Sequence, residues 1–256
     1  MLGAFDAGDS LSGDADTDAL VLKGDYSGGV TLTDTTISGM ERMLLRGNFD
    51  YDLTMADGNV AAGESLRVSA AHLGAGHHLT FDGSLEQDGS FFVSGAAGAN
   101  TITGGGAADV IRGGAAGDTL TGGGGADRLH GEGGGDTFVY NGAADSTGTS
   151  HDIITGFDAS ADRFHLAGIS VNAIDAAIVS GRLGGNFDGN LAAVADASRL
   201  FAYDAVLFTP DKGSYAGHTF LIVDANGTAG YQAGQDLVID LTGATHLDQL
   251  TTASFI

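Results

Sequence analysis

Between Gly95 and Val139 one large apolar residue recurs at every ninth position: Ile102, Ile111, Leu120, Leu129 and Phe138. Two places before each stands Asn100, Asp109, Asp118, Asp127 or Asp136. Each unit opens with a stretch rich in glycine and alanine. The units begin at Gly95, Gly104, Gly113, Gly122 and Gly131 and read GAAGANTIT, GGGAADVIR, GGAAGDTLT, GGGGADRLH and GEGGGDTFV. A step of nine leaves no room for a helix between strands. The x-U-x half is a very short strand with one inward side chain. The small-residue half is a turn whose backbone can approach a neighbour or a ligand closely. One unit buries nothing alone, whereas stacked units line their apolar residues into a continuous core. Two units make one coil of turn, strand, turn, strand, so units two apart stack directly. The pattern predicts an all-β fold, with a parallel β-roll or β-solenoid over 95–140.

Upstream, residues 1–94 alternate apolar and polar in short runs: Ala19–Lys23, Val30–Thr33, Arg42–Leu45, Tyr51–Thr54, Ser65–Ser69, His78–Phe81 and Ser90–Val93. Turn pairs such as Gly28-Gly29, Asp57-Gly58 and Asp88-Gly89 separate them. This spacing fits a sandwich, a barrel or a solenoid with longer coils. The solenoid is preferred because it runs straight into the roll and covers an open end that otherwise invites aggregation. Residues 141–256 are mixed and read as a C-terminal cap. Asn172–Ser180 and Leu191–Ala202 have helical apolar spacing. Val206–Thr209, Thr219–Val223 and Leu237–Leu241 read as strands. Asp224-Ala225-Asn226-Gly227 reads as a hairpin turn joining two of them, since it lacks the third ligand and closing Glu of an EF-hand.

The repeated carboxylate gives the turns a chemistry. A turn that presents carbonyls and ends in an aspartate offers only hard oxygen donors. Ca²⁺ takes six to eight of these at about 2.3–2.6 Å, whereas Mg²⁺ demands a stricter octahedron. Zinc and copper prefer imidazole and thiolate, and the units hold neither apart from His130. The expected ligands are the side chains of Asn100, Asp109, Asp118, Asp127 and Asp136. With them go turn carbonyls from Gly95, Gly104, Gly106, Gly113, Gly122, Gly124, Gly131 and Gly133. Three unit pairs lie two apart, so about three internal Ca²⁺ ions are expected, with further ions at the roll ends. Few formal charges per ion place the affinity at about 10⁻⁴–10⁻³ M. Without the ions the facing oxygens repel, so metal binding and folding are expected to be one event.

Composition narrows the partners. With 33 acidic against 10 basic residues, the formal net charge is −23. That excludes nucleic acid and anionic membrane as expected partners and suits a cation-binding protein. There is no cysteine, so neither a disulfide nor a thiolate metal site contributes. The chain has 44 glycines but 1 proline, and laid out with a period this means ordered turns rather than a linker. No apolar run approaches the ~18 residues of a transmembrane segment, and no N-terminal signal peptide is evident. No H-E-x-x-H, no G-x-S-x-G and no dinucleotide fingerprint is present, so no enzymatic activity is expected. The three histidines His72, His77 and His78 read as polar surface groups.

These units resemble the RTX (repeats-in-toxin) nonapeptide GGxGxDxUx over residues 95–139. Departures are Ala107 and Ala116 at the fourth position, Ala96 and Glu132 at the second, and Asn100 for the first aspartate. The following segment, Gly135 to Gly168, resembles the stretch after the repeats in serralysin-type secreted proteins. There a D-x-I-x-x-F run caps the roll; here it is Asp152, Ile154 and Phe157. The resemblance implies a further Ca²⁺ among Asp145, Asp152, Asp158 and Asp162, which otherwise read as surface turns and a helix cap. The last stretch resembles the C-terminal part of RTX proteins exported by type I secretion. The resemblance thus implies a secreted or cell-surface bacterial protein whose partners are calcium ions and the type I secretion apparatus. A surface-layer or adhesin component that binds cell-surface polysaccharide or self-assembles is the alternative, with part of a polysaccharide-acting enzyme behind it.

Overall fold

The structure is a computed structural model that describes residues 5–6 and 8–256. It divides into two compact units: 1–127 with 131–136, and 128–130 with 137–256.

In the first unit the strands are β1 (Leu11–Ser12), β2 (Ala19–Lys23), β3 (Tyr26–Leu32), β4 (Ile37–Ser38), β5 (Arg42–Arg46), β6 (Tyr51–Met55), β7 (Ser65–Ser69), β8 (Leu79–Asp82), β9 (Ser90–Ser94), β10 (Thr101–Thr103), β11 (Val110–Gly114) and β12 (Thr119–Thr121). β1 and β4 pair with each other, and the other strands alternate between two parallel ladders. One runs β3, β6, β8, β10, β12; the other runs β2, β5, β7, β9, β11. The chain therefore winds from one ladder to the other and back, and from β5 onward each strand pairs with the next but one. In the repeats this gives the eighteen-residue coil the sequence predicts: Ile102 lies opposite Leu120. The same column continues upstream without a break, since Phe81 lies opposite both Ile102 and Leu53. On the other ladder Ile111 faces Val93, which faces Val68, which faces Met43. All of these are buried. Strand alternation sends every second residue inward, and the parallel register stacks like on like. The upstream coils are longer than the repeat coils, and their extra residues sit in turns such as the one at Asp57–Asn59.

The second unit contains β13 (Arg128–Glu132, through its first three residues), β14 (Thr137–Tyr140), β15 (Asp152–Thr155), β16 (Arg163–Leu166), α1 (Phe187–Val194), β17 (Ala205–Phe208), β18 (Phe220–Val223) and β19 (Leu237–Asp240). Leu129 faces Ile154, and Phe138 faces Phe164. The rings of Phe138, Phe157 and Phe164 pack together, and Phe255 stacks on Phe164 with centroids 5.4 Å apart. Beyond β15 the ladder turns antiparallel through β19, β18 and β17. A second apolar cluster forms there from Leu183, Phe187, Leu191, Phe208, Phe220 and Ile222, among others.

Two sequence expectations change here. Residues 172–180 form no helix: Ile174 and Ile178 bridge in parallel to Ala205 and Phe208 instead. Their four-residue spacing suits a helix, but the open side of β17 offers backbone partners, and the N–H of Ile178 bonds the carbonyl of Leu207 at 2.8 Å. The helix expected over 191–202 lies earlier, at Phe187–Val194. After it, Asp196 bonds the N–H and hydroxyl of Ser198, the local side-chain capping that competes with a continuing helix. Asp224–Gly227 does lie between antiparallel strands, but it opens a long connection closed by Asp236 rather than a tight hairpin turn. Among the described residues no helix is long and apolar enough to cross a membrane.

Candidate metal centre

Stacking places the repeat carboxylates in two columns. Asp109 and Asp127 stand on one side of the coil; Asn100, Asp118 and Asp136 stand on the other. In each column the later residue bonds back to the earlier one. The N–H of Asp109 donates to Asp127 Oδ1 at 2.7 Å. The N–H of Asn100 donates to Asp118 Oδ1 at 2.7 Å, and that of Asp118 to Asp136 Oδ1 at 2.9 Å. The column beginning at Asp109 reaches upstream, where its Oδ1 takes the N–H of Phe91 at 2.6 Å. Every one of these side chains is buried. Directly stacked parallel strands lie about 4.8 Å apart, so like charges are stacked at that spacing in a poorly solvated place. Burial pushes the Asp109 carboxyl up to about 6, against the N–H groups of Phe91 and Gly105 that favour the anion. Burial raises Asp118 as well, opposed by the Asn100 amides.

The first glycine of each unit lines these columns, and all five are buried. A Cβ on Gly104 would collide with the Asp109 carboxylate and the Gly122 carbonyl. A Cβ on Gly113 would meet Asp118 Oδ2 and the Gly131 carbonyl, and one on Gly122 would meet Asp127. Thus at Gly104 and Gly113 the carboxylate of the turn and the first-position carbonyl of the turn stacked on it crowd into one small cradle. Asp118 Oδ2 is buried there without a hydrogen-bond partner. An all-oxygen donor set with an orphaned anionic oxygen fits a hard cation such as Ca²⁺.

The third-position glycines also join stacked turns through their N–H groups. The N–H of Gly106 bonds the Glu86 carbonyl, that of Gly124 the Gly105 carbonyl and that of Gly133 the Gly114 carbonyl, all at 2.8–2.9 Å. They stitch stacked turns together on the outer side, where all three are exposed or half-buried. At Gly123 the backbone has φ +97° and lies against the Gly105 carbonyl, a place that only glycine fills.

Asn100 differs from the aspartates. Its Oδ1 accepts the N–H groups of Leu79 and Ala96, each at 2.9 Å. Its Nδ2 lies within hydrogen-bond distance of four oxygens: the carbonyls of Ala96, Gly98 and Gly113 at 3.0, 2.7 and 3.3 Å, and Asp118 Oδ1 at 2.8 Å. At this rung an amide nitrogen gathers the oxygens.

The downstream acids are less convergent. Asp145 spends Oδ2 on the N–H of Asn141 in its own turn. Asp152 is buried in β15, with its N–H on the hydroxyl of Ser146. Asp158 faces His246 and Ser160, and Asp162 takes the N–H of Asp158. His77 and His78 both approach Asp50. Sequence reading missed a further acidic group, Asp57, Glu86 and Asp88, whose ligand atoms lie within 4.8 Å of one another. Glu86 is buried and takes the N–H of Gly89. The only sequence signal was a pair of Asp-Gly turns outside any strict period.

No curated protein matches the chain. The profile of the family described as Peptidase M10 serralysin C terminal matches residues 44–249, which is most of the chain and includes all five repeats. With the stacked turns and the parallel β-roll, that match decides the matter: the chain belongs to the serralysin C-terminal family, the calcium-binding RTX-repeat region.

Proposed function

We propose that this chain is a non-catalytic Ca²⁺-binding roll, exported by type I secretion and folded by calcium outside the cell. The observation that carries the reading is the pair of buried carboxylate columns, stacked carboxylate on backbone N–H, with Asp118 Oδ2 left buried and unpartnered beside the turn carbonyls. Such a stack opposes its own formation until a divalent cation enters, so the chain stays loosely folded at low calcium. The internal positions with full oxygen sets are two: Asp109 with Asp127, and Asp118 with Asp136. At the third expected position the Asn100 amide does the work of an ion. The test is a calcium titration of the full chain followed by circular dichroism. A steep gain of β signal and of Tm with calcium is expected, reversed by chelator. An identical signal and Tm in chelator and in excess calcium would end the proposal.

Asn100→Asp separates amide from ion at the first rung. It removes both amide N–H donors from among the four oxygens that surround them and sets a charge against Asp118. In chelator the variant is expected to lose about 2–4 kcal/mol, the cost of buried acceptors left unmade. In excess calcium it is expected to bind one more ion, counted by native mass spectrometry. Unchanged stability in chelator contradicts the substitute role.

A further inference from the structure

We propose a cation site outside the repeats, in the loop from Asp224 to Asp236, built on a buried pair of carboxylates. Both side chains are fully buried. Three consecutive N–H groups of the loop grip them. Ala225 donates to Asp236 Oδ1 at 3.1 Å, while Asn226 and Gly227 donate to Asp224 Oδ1 at 3.2 and 2.6 Å. Gln232 N–H adds a bond to Asp236 Oδ2 at 2.7 Å. Asp224 Oδ2 is left buried with no hydrogen-bond partner.

Two anions held this way need compensation, and among the described residues no salt bridge reaches either of them. Asp236 is pushed up to about 6, first by burial and further by Asp224. The remaining polar side chains of the loop supply oxygen: Asn226 Oδ1, which bonds the Thr228 N–H, and Gln232 Oε1, which takes Asn226 Nδ2 at 3.0 Å. Asp224, Asn226, Gln232 and Asp236 thus offer carboxylate and amide oxygens and no nitrogen or sulfur ligand. That set selects a hard cation, Ca²⁺ first, over zinc or copper. The orphaned oxygen is the signature of a missing partner, since a buried anion left unmatched is costly. The loop holds the antiparallel strands β18 and β19 together at one end. A cation there fastens the second unit without help from the nonapeptides, so the site stands independently of their reading.

The test counts calcium ions on the full chain by native mass spectrometry for the wild type, for Asp224→Asn/Asp236→Asn, and for Asp118→Asn as a repeat-site control. The double variant is expected to lose one ion, to keep the calcium-driven gain of β signal, and to melt lower in excess calcium. Terbium gives a second readout. The chain has no tryptophan, and the Tyr203 ring packs on Gly227 in this loop. Tyrosine-sensitised terbium emission is expected to fall several-fold in the double variant. An unchanged ion count, or unchanged terbium emission, overturns the site. So does a higher Tm in excess calcium, because isosteric removal of uncompensated buried charge stabilises. If the double variant does not fold, the same counts are taken on Asp224→Asn alone, with the same outcomes. A wild type that binds no calcium at all defeats both proposals; a double variant with the full count defeats only this one.

Discussion

Gly104→Ala is expected to abolish calcium-driven folding of the roll at calcium concentrations that fold the wild type. The substituted carbon would overlap two groups at once, the Asp109 carboxylate and the Gly122 carbonyl. Neither has room to yield. The carboxylate is held by the N–H groups of Phe91 and Gly105, both at 2.6 Å, and the carbonyl belongs to the buried Gly122. Overpacking a rigid site costs about 1–3 kcal/mol, and displacing a ligand oxygen adds to it by weakening the ion. The companion variant Gly124→Ala is expected to cost less than about 1 kcal/mol. Its added carbon meets nothing nearer than the Gly106 carbonyl at 3.4 Å. Both are glycines of the repeat, and composition alone treats them alike. Calcium titrations by circular dichroism separate them. Equal damage from the two would show that the cradle is not where the ion sits.

Mild acid is expected to substitute for calcium in part. In chelator, the β signal and Tm of the chain should rise as pH falls from about 7.5 to about 5. The native state binds the Asp109 proton more tightly than the unfolded chain does, with a carboxyl near 6 against 3.8. Stability from this group is therefore present below about 3.8 and is lost as pH rises through about 6. A shift of that size corresponds to at most about 3 kcal/mol, and Asp236 acts in the same direction. Neutralising part of the net charge of −23 adds to the gain. With calcium present the sign inverts. A proton and the cation compete for the same oxygens, so the calcium midpoint should move to higher concentration as pH falls through about 6. A chelated chain that loses structure steadily from about pH 7.5 to about 5 would contradict the buried-carboxylate account.

Much of the architecture is legible in the sequence. The strict step of nine gave the coil, because a strand of three residues and a turn of six cannot close in any other way that buries the apolar position. The runs Ala19–Lys23 and Ser65–Ser69 match strands residue for residue. They alternate cleanly between buried and exposed sides, which is the pattern a parallel coil needs. Less legible was the region after the repeats. At Ile174 and Ile178 the spacing fits two structures, and the vacant edge of β17 chose between them.

The candidate ligands divide in the same way. The aspartates were visible because they recur, and recurrence at a fixed step means convergence once coils stack. Glu86 and the Asp224–Asp236 pair recur with nothing. Their burial follows from long-range pairing that places a turn against another coil, or a loop between antiparallel strands.

The sequence by itself determined the coil, the inward apolar column and the identity of the donor atoms, since period and side-chain chemistry are local properties of the chain. Only the tertiary structure decided which glycines crowd against the carboxylates and which donate their N–H groups to the neighbouring turn, and that Asn100 gathers oxygens with its amide. It also decided that Asp224 is left with a buried oxygen and no partner. The reason is physical: a residue's chemistry is written in its own atoms, but the cost of burying a charge depends on what the rest of the chain brings within a few ångströms of it.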